Sequence, residues 1–393
     1  MDNKPTLLYA SPFPPQKSGI SDYSVILVKA LSQYYKITIY TDDYGISSDY
    51  IKTNFTILKN GKDDVDFNGF DYRIYNIGNN PDFHGYIYEK CLKYPGLIIL
   101  HDYVLYYLYV GYYASKNELF SRLYQDEGLD TFLNMKHAIR ECGGVNPLEI
   151  KQLAEKLPLN KELLLSGNKI MVHSEYAFKR VKQFTDNVKK INMIQQVNND
   201  FKLVEKKRLF EKYHIPKDAF VVSSFGIIAE TKQNHLACEA IKQIAKTGRK
   251  ICYVMVGEGD YINDYVDNDI VYKTGFVDMN TFDSFVVHSD LVLNLRYPSM
   301  GETSAALLKI LQMGKACIIN NQGWFAEVPD TCSIKIDEVN SVDVLKEKLE
   351  WCLDNLSDVS KIGENARNYI ANEYGDEVIV NEIKFFLDRD NNS

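Results

Sequence analysis

Short apolar runs recur along the chain, and a polar, helix-spaced stretch follows most of them. The first series is Thr6–Ala10, Ile37–Tyr40, Tyr72–Asn76, Leu97–Leu100 and Lys169–His173. The second is Phe220–Phe225, Ile251–Val256, Ile270–Thr274, Leu291–Leu295 and Ala316–Asn320. Between them, Ser21–Tyr34 reads as a helix capped by Ser21 or Asp22, and His235–Lys246 as one with Gly248 just past its end. This alternation predicts parallel sheets with helices on both faces. The stretch Asn198–Asp218 is polar and charged and lacks strand character, so it separates the two series. The expected architecture is α/β: residues 1–200 form an N-terminal Rossmann-like domain, 201–375 a second one, and 376–393 a C-terminal helix after an interruption at Gly375. Two doubly wound parallel-sheet domains facing a cleft would bind ligands outside the carboxyl ends of their strands.

Composition narrows this further. At about 150 residues per domain, 393 residues allow two or three domains. A net charge of -8 argues against general binding to nucleic acid. The seven cysteines are odd in number, widely spaced and without CxxC, as expected of reduced thiols in a reducing compartment. No metal-ligand spacing occurs among the seven histidines. The N-terminus lacks the long apolar region of a signal peptide, and no apolar run approaches the ~20 residues of a membrane span. The expectation is a cytoplasmic protein with no metal or other cofactor.

The chemistry then lies in the residues after each strand. In "SPFPPQKSGISDYS", Gly19 precedes a helix; it serves either a capped turn or a close approach of backbone to ligand. After "GLIIL" come His101, Asp102 and Tyr103, either a loop that caps the next helix or a cleft lining in which His101 hydrogen-bonds or stabilises charge. His84 lies in "NIGNNPDFHGY", which also follows a strand. The aromatic-rich run to Tyr113 reads as core or groove wall, with contact to an acceptor or lipid as the alternative. In the second series Lys232 lies in "SSFGIIAETKQNH", solvated or set on a phosphate. "MVGEGDYI" has two glycines but is no dinucleotide fingerprint. "RYPSMGETSAALLKILQ" puts Gly301, Glu302, Thr303 and Ser304 on a strand-to-helix turn. Such a turn is either a plain helix cap or an anion site with a carboxylate beside it for a sugar hydroxyl.

Taken in order, "SPFPPQKSGISDYSVILVKAL", "YNIGNNPDFHGYIYE", "PGLIILHD", "VHSEYAF", "FGIIAETKQNHLACEAI", "VGEGD", "GFV" and "RYPSMGETSAALLKILQMGKACII" resemble retaining GT-B glycosyltransferases of family four, the glycosyl transferases group 1. The resemblance spans nearly the full length. It implies an acceptor-side first domain, a nucleotide-sugar-binding second domain and a last helix that crosses back to the first. It places Gly19 near the donor phosphates or the acceptor, and His101 near the anomeric centre. Lys232 would bind the diphosphate, Glu302 the donor sugar, and Gly301, Thr303 and Ser304 the phosphates at the helix start. Tyr103 and His84 fall on the acceptor side, and Asp102 is a candidate catalytic helper.

Two departures stand out. The family's arginine before the lysine has no match in Ile227–Glu230, and Arg296 is the candidate replacement. The second carboxylate of the Glu-x7-Glu motif is replaced by Lys309 or Ile310, depending on the alignment. The resemblance implies retaining, metal-independent transfer of a hexose or deoxyhexose to a glycan or lipid-linked acceptor in bacterial surface polysaccharide synthesis, with weak peripheral contact at the inner membrane face. The competing readings are a nucleotide-sugar epimerase of the same architecture and a non-catalytic GT-B partner subunit.

Overall fold

The structure, a computed structural model, describes residues 4–195, 202–337 and 341–389. The chain divides into two compact units. One comprises the chain up to Ile194, Met300–Thr303 and the chain from Asp376 on; the other comprises Gln195–Ser299 and Ser304–Gly375. The start of the expected separating stretch, 198–201, lies outside the described residues, as do 390–393 of the expected C-terminal helix.

Unit 1 is built on seven strands: β1 (Thr6–Ala10), β2 (Lys36–Thr41), β3 (Thr56–Lys59), β4 (Tyr72–Ile77), β5 (Leu97–Leu100), β6 (Lys169–Val172) and β7 (Val188–Lys190). Their order is β3-β2-β1-β4-β5-β6-β7, and every pair is parallel. The connecting helices include α1 (Gly19–Leu31), α2 (Asp49–Asn54) and α3 (Pro81–Lys93). Between β5 and β6 the chain inserts α4 (Tyr106–Ser115), α5 (Leu119–Glu127), α6 (Leu129–Glu141), α7 (Lys151–Lys156) and α8 (Lys161–Leu164); α9 (Glu175–Val181) follows β6. The central strands are buried on both faces, which is why β1 and β5 read as continuous apolar runs rather than alternating ones.

Unit 2 carries β8 (Phe220–Phe225), β9 (Ile251–Val256), β10 (Val271–Lys273), β11 (Leu291–Asn294), β12 (Cys317–Asn320) and β13 (Ile334–Ile336), again all parallel, in the order β10-β9-β8-β11-β12-β13. Its helices are α10 (Lys206–Lys212), α11 (Asn234–Ala245), α12 (Met279–His288), α13 (Ala305–Gln312), α14 (Val342–Asp354) and α15 (Leu356–Glu373). The last helix, α16 (Asp376–Asp388), packs in unit 1 against α1. In each sheet the winding reverses once, between β1 and β4 and between β8 and β11. In a doubly wound sheet those points leave a crevice at the carboxyl ends.

Two expectations need correction. Ser18, not Ser21 or Asp22, caps α1: its side chain accepts from the Ile20 N–H, and Ser21 is buried in the first turn. Strands β3, β7 and β13 have no counterpart among the expected runs. The aromatic run is core. Tyr106, Tyr109 and Tyr113 of α4 are buried, and the Tyr113 and Tyr109 hydroxyls donate to Glu162 and Asp126 at 2.5 and 2.8 Å.

Candidate active site

In unit 1 the site grows from Asn76, a buried residue near the end of β4. Its Nδ2 donates to the Ala10 carbonyl at 3.3 Å, so its Oδ1 faces His101 Nε2 at 3.0 Å. An amide oxygen only accepts, so His101 carries its proton on Nε2 and a lone pair on Nδ1. The Asn76 carbonyl in turn accepts from His84 Nδ1 at 3.0 Å. Burial pushes His84 down to about 4 and holds His101 well below the ordinary imidazole value, so both are neutral near pH 7. His101 is therefore a hydrogen-bonding group rather than a resting cation.

Asp102 braces the loops. Its carboxylate accepts from the Asn79 N–H at 2.8 Å, and Asn79 Oδ1 accepts from the Tyr107 and Leu108 N–H groups in the first turn of α4. Gly78 permits this convergence. A Cβ there would lie 2.5 Å from Ile20 Cδ1, 2.9 Å from His84 Nε2 and 3.2 Å from Asp102 Oδ2. The glycine after the strand in "YNIGNN" was the available signal for it. Gly19 opens α1, and a Cβ on it would meet nothing within 4 Å, so packing within the protein does not require glycine there.

Unit 1 also contains Met300–Thr303. The Met300 carbonyl accepts from the Val104 N–H at 2.9 Å, and the Glu302 carboxylate accepts from the Met300 N–H at 2.6 Å, which orients it. Gly301 has φ +77, and a Cβ on it would lie 2.6 Å from Tyr103 Cβ and 3.1 Å from Tyr176 Cε1. Glycine is needed there twice over, for conformation and for close approach. The Tyr103 carbonyl accepts from Asn160 at 2.6 Å, and its ring meets Tyr176 edge-on. Unit 1 thus gathers Gly19, His84, His101, Asp102, Tyr103, Gly301, Glu302 and Thr303.

Unit 2 holds Lys232, Arg296 and Ser304. Lys232 is no solvated lysine: its Nζ donates to the Phe225 carbonyl at 2.5 Å at the end of β8. Burial first, and then the Arg296 guanidinium, push its pKa down to about 7. Arg296 follows β11; its Nη1 donates to Thr231 Oγ1 at 3.0 Å and its N–H to Asn320 Oδ1 at 2.6 Å. Two cationic side chains are therefore held together at the β8/β11 switch point. The two glycines of "VGEGD" let the loops after β8 and β9 run side by side: a Cβ on Gly257 or Gly259 would lie 2.0 Å from the Gly226 carbonyl oxygen or 2.1 Å from that of Ile228. Ser304 caps α13 by accepting from the Leu307 N–H at 3.1 Å, so the helix begins at Ala305.

No protein-family model and no curated protein matches the sequence. Solved structures do match. A glycosyltransferase from Rickettsia africae aligns over 98% of both chains with a TM-score of 0.67 and 15% identity. HepE from Anabaena, solved with UDP and glucose, covers 97% of this chain and 98% of its own at 0.65 and 12%. WaaG, a glycosyltransferase involved in lipopolysaccharide biosynthesis, covers 97% and 99% at 0.63 and 14%. The fold is GT-B.

At such identities the likeness carries the fold and leaves the chemistry to the residues. In this GT-B chain Lys309 forms an ion pair of 2.5 Å with Asp283 of α12. The carboxylate on that side of α13 is thus on the neighbouring helix, which sequence spacing along α13 alone does not reveal.

Proposed function

We propose that the protein is a nucleotide-sugar-dependent glycosyltransferase that transfers a hexose or deoxyhexose with retention of configuration and without a metal. The observation that carries this reading is the half-buried Lys232, its ammonium drawn in against the Phe225 carbonyl, beside Arg296 at the β8/β11 switch point. A like-charge pair that is partly withdrawn from water is costly on its own and becomes favourable when a diphosphate arrives between the charges and solvent is displaced. HepE, of the same fold, was solved with UDP and with UDP-glucose.

The roles follow from the groups present. Lys232 and Arg296 meet the charge that develops on the leaving diphosphate, and the start of α13 adds N–H donors. Glu302, oriented by the Met300 N–H, is a carboxylate suited to accept from a donor-sugar hydroxyl. His101, neutral and bound through Nε2 to Asn76, keeps a lone pair on Nδ1 that is suited to accept from a sugar hydroxyl. Asp102 acts as a positioning residue through Asn79, with Tyr103 and His84 on the acceptor side. The WaaG likeness supports a surface-glycan acceptor, which a lipid-linked carrier would supply at the inner membrane face. Among the described residues no helix is long and apolar enough to cross a membrane.

The test is a thermal-shift and calorimetric screen against UDP-, GDP-, dTDP- and CMP-sugars. One nucleotide class should stabilise the wild type, and Lys232→Ala should abolish the shift. A wild type stabilised by none of them removes the proposal.

A further inference from the structure

Three ring side chains of unit 1 meet just beyond the sheet: Tyr23 of α1, His101 after β5 and His173 after β6. Their centroids lie 4.9 Å (Tyr23–His101), 5.3 Å (His101–His173) and 5.5 Å (Tyr23–His173) apart. The register explains the meeting, because Leu100 pairs with Val172 and the two histidines are the next residues on adjacent strands. His173 Nδ1 donates to the Ile191 carbonyl at 2.9 Å, which leaves the lone pair on Nε2. That Nε2 is buried and has no hydrogen-bond partner among the described residues, and the same holds for the Tyr23 hydroxyl and for Ser21 Oγ in the same turn of α1.

Buried polar atoms are ordinarily bonded. The neighbouring ones are: Tyr9 to Ser24 at 3.2 Å, Ser11 to Ser24 at 2.6 Å, and Asn76 to both His84 and His101. The unused acceptor and the unused donor therefore sit on two touching rings beside His101.

We infer that His173 and Tyr23 form a subsite for one sugar hydroxyl, which donates to His173 Nε2 and accepts from the Tyr23 O–H. A hydroxyl is both donor and acceptor, so it matches the pair. Neither group is charged, and a lone pair repels phosphate oxygens, so the ligand is a neutral polyol and not an anion. The inference rests on the glycosyltransferase reading and adds to it two residues that bind sugar.

The test is calorimetric titration of the wild type, Tyr23→Phe and His173→Phe with the bare nucleoside diphosphate, with the nucleotide-sugar that binds, and with its monodeoxy analogues. Saturation-transfer NMR with methyl glycosides, in the presence of the diphosphate, covers a sugar that comes from the acceptor. Both variants should bind the diphosphate as the wild type does. Each should lose about 3- to 10-fold in affinity for the sugar and stop discriminating one monodeoxy analogue. Loss in the nucleotide-sugar arm assigns the donor, and loss in the glycoside arm the acceptor. Tyr23→Phe, which removes a single oxygen, should melt at or above the wild-type temperature. Unchanged sugar affinity in both arms, or a Tyr23→Phe protein that melts lower and discriminates as before, overturns the subsite while leaving the transferase reading intact. A wild type that binds no nucleotide and no glycoside overturns both.

Discussion

An ammonium withdrawn from water beside a guanidinium gives up its proton easily, and for that reason the pKa of Lys232 is pushed down to about 7. A diphosphate bound there, as proposed, would reverse the balance by favouring the charged form. Below about pH 7 the lysine is already protonated and binding needs no proton. Above it, binding must take one up, so affinity should fall as pH rises, by up to about tenfold per unit. Calorimetry at about pH 8.5 in two buffers of different ionisation enthalpy should show uptake approaching one proton, and Lys232→Met should abolish it. Zero uptake in the wild type would place Lys232 away from the phosphates. Gly301 makes a second prediction at this scale. Its φ of +77 and its approach to Tyr103 mean that Gly301→Ala must strain the turn that orients Glu302. The cost should be about 1–3 kcal/mol of stability in urea titrations, with a larger loss of transfer rate than of diphosphate affinity.

At the scale of elements, the central strands were legible because burial on both faces leaves a run of apolar residues. Strands β3, β7 and β13 were not. Each lies at a sheet edge and is short, and each carries a lysine: Lys59, Lys189 and Lys190, and Lys335. The residues after the strands stood out in the sequence as candidates, whereas the groups they bond to did not. His173 stood in "VHSEYAF", but its place beside His101 follows from strand register, which no local pattern displays. Likewise the tyrosines of α4 announce a core without revealing that Glu162 bonds to them. Glu162 accepts from Tyr88 at 2.7 Å and Tyr113 at 2.5 Å and pairs with Arg122. Glu162→Ala would leave a guanidinium and two phenols without that partner, so unfolding in urea should show a loss of about 3 kcal/mol. The nucleotide binding proposed for unit 2 should not change. A stability within 0.5 kcal/mol of wild type, roughly the scatter of neutral surface substitutions, would mean that the network relaxes onto other partners.

For the molecule as a whole, the two units differ in the charge they bury. Unit 2 holds a half-buried lysine, Lys232, and unit 1 buries three neutral histidines, His84, His101 and His173, each on a main-chain or amide oxygen. Burial lowers His84 and His173 from 6.5 to about 4 and lowers His101 as well. The unfolded chain therefore binds protons that the folded unit refuses. Their contribution to stability is complete above about pH 6.5 and is lost as pH falls from there toward 4. By pH 5 the loss is about 2 kcal/mol for each of His84 and His173. Acid should thus weaken unit 1 before unit 2, which has no such buried histidine among its described residues. Pulse proteolysis in urea at about pH 7 and about pH 5, with the cuts mapped, should show first cleavage shifting to lower urea within unit 1 only. His84→Gln should reduce that shift by about one histidine's share. Equal midpoints at the two pH values, or first cleavage in unit 2, would mean that the imidazoles accept protons without opening unit 1, and that their neutrality is not what holds its site in place.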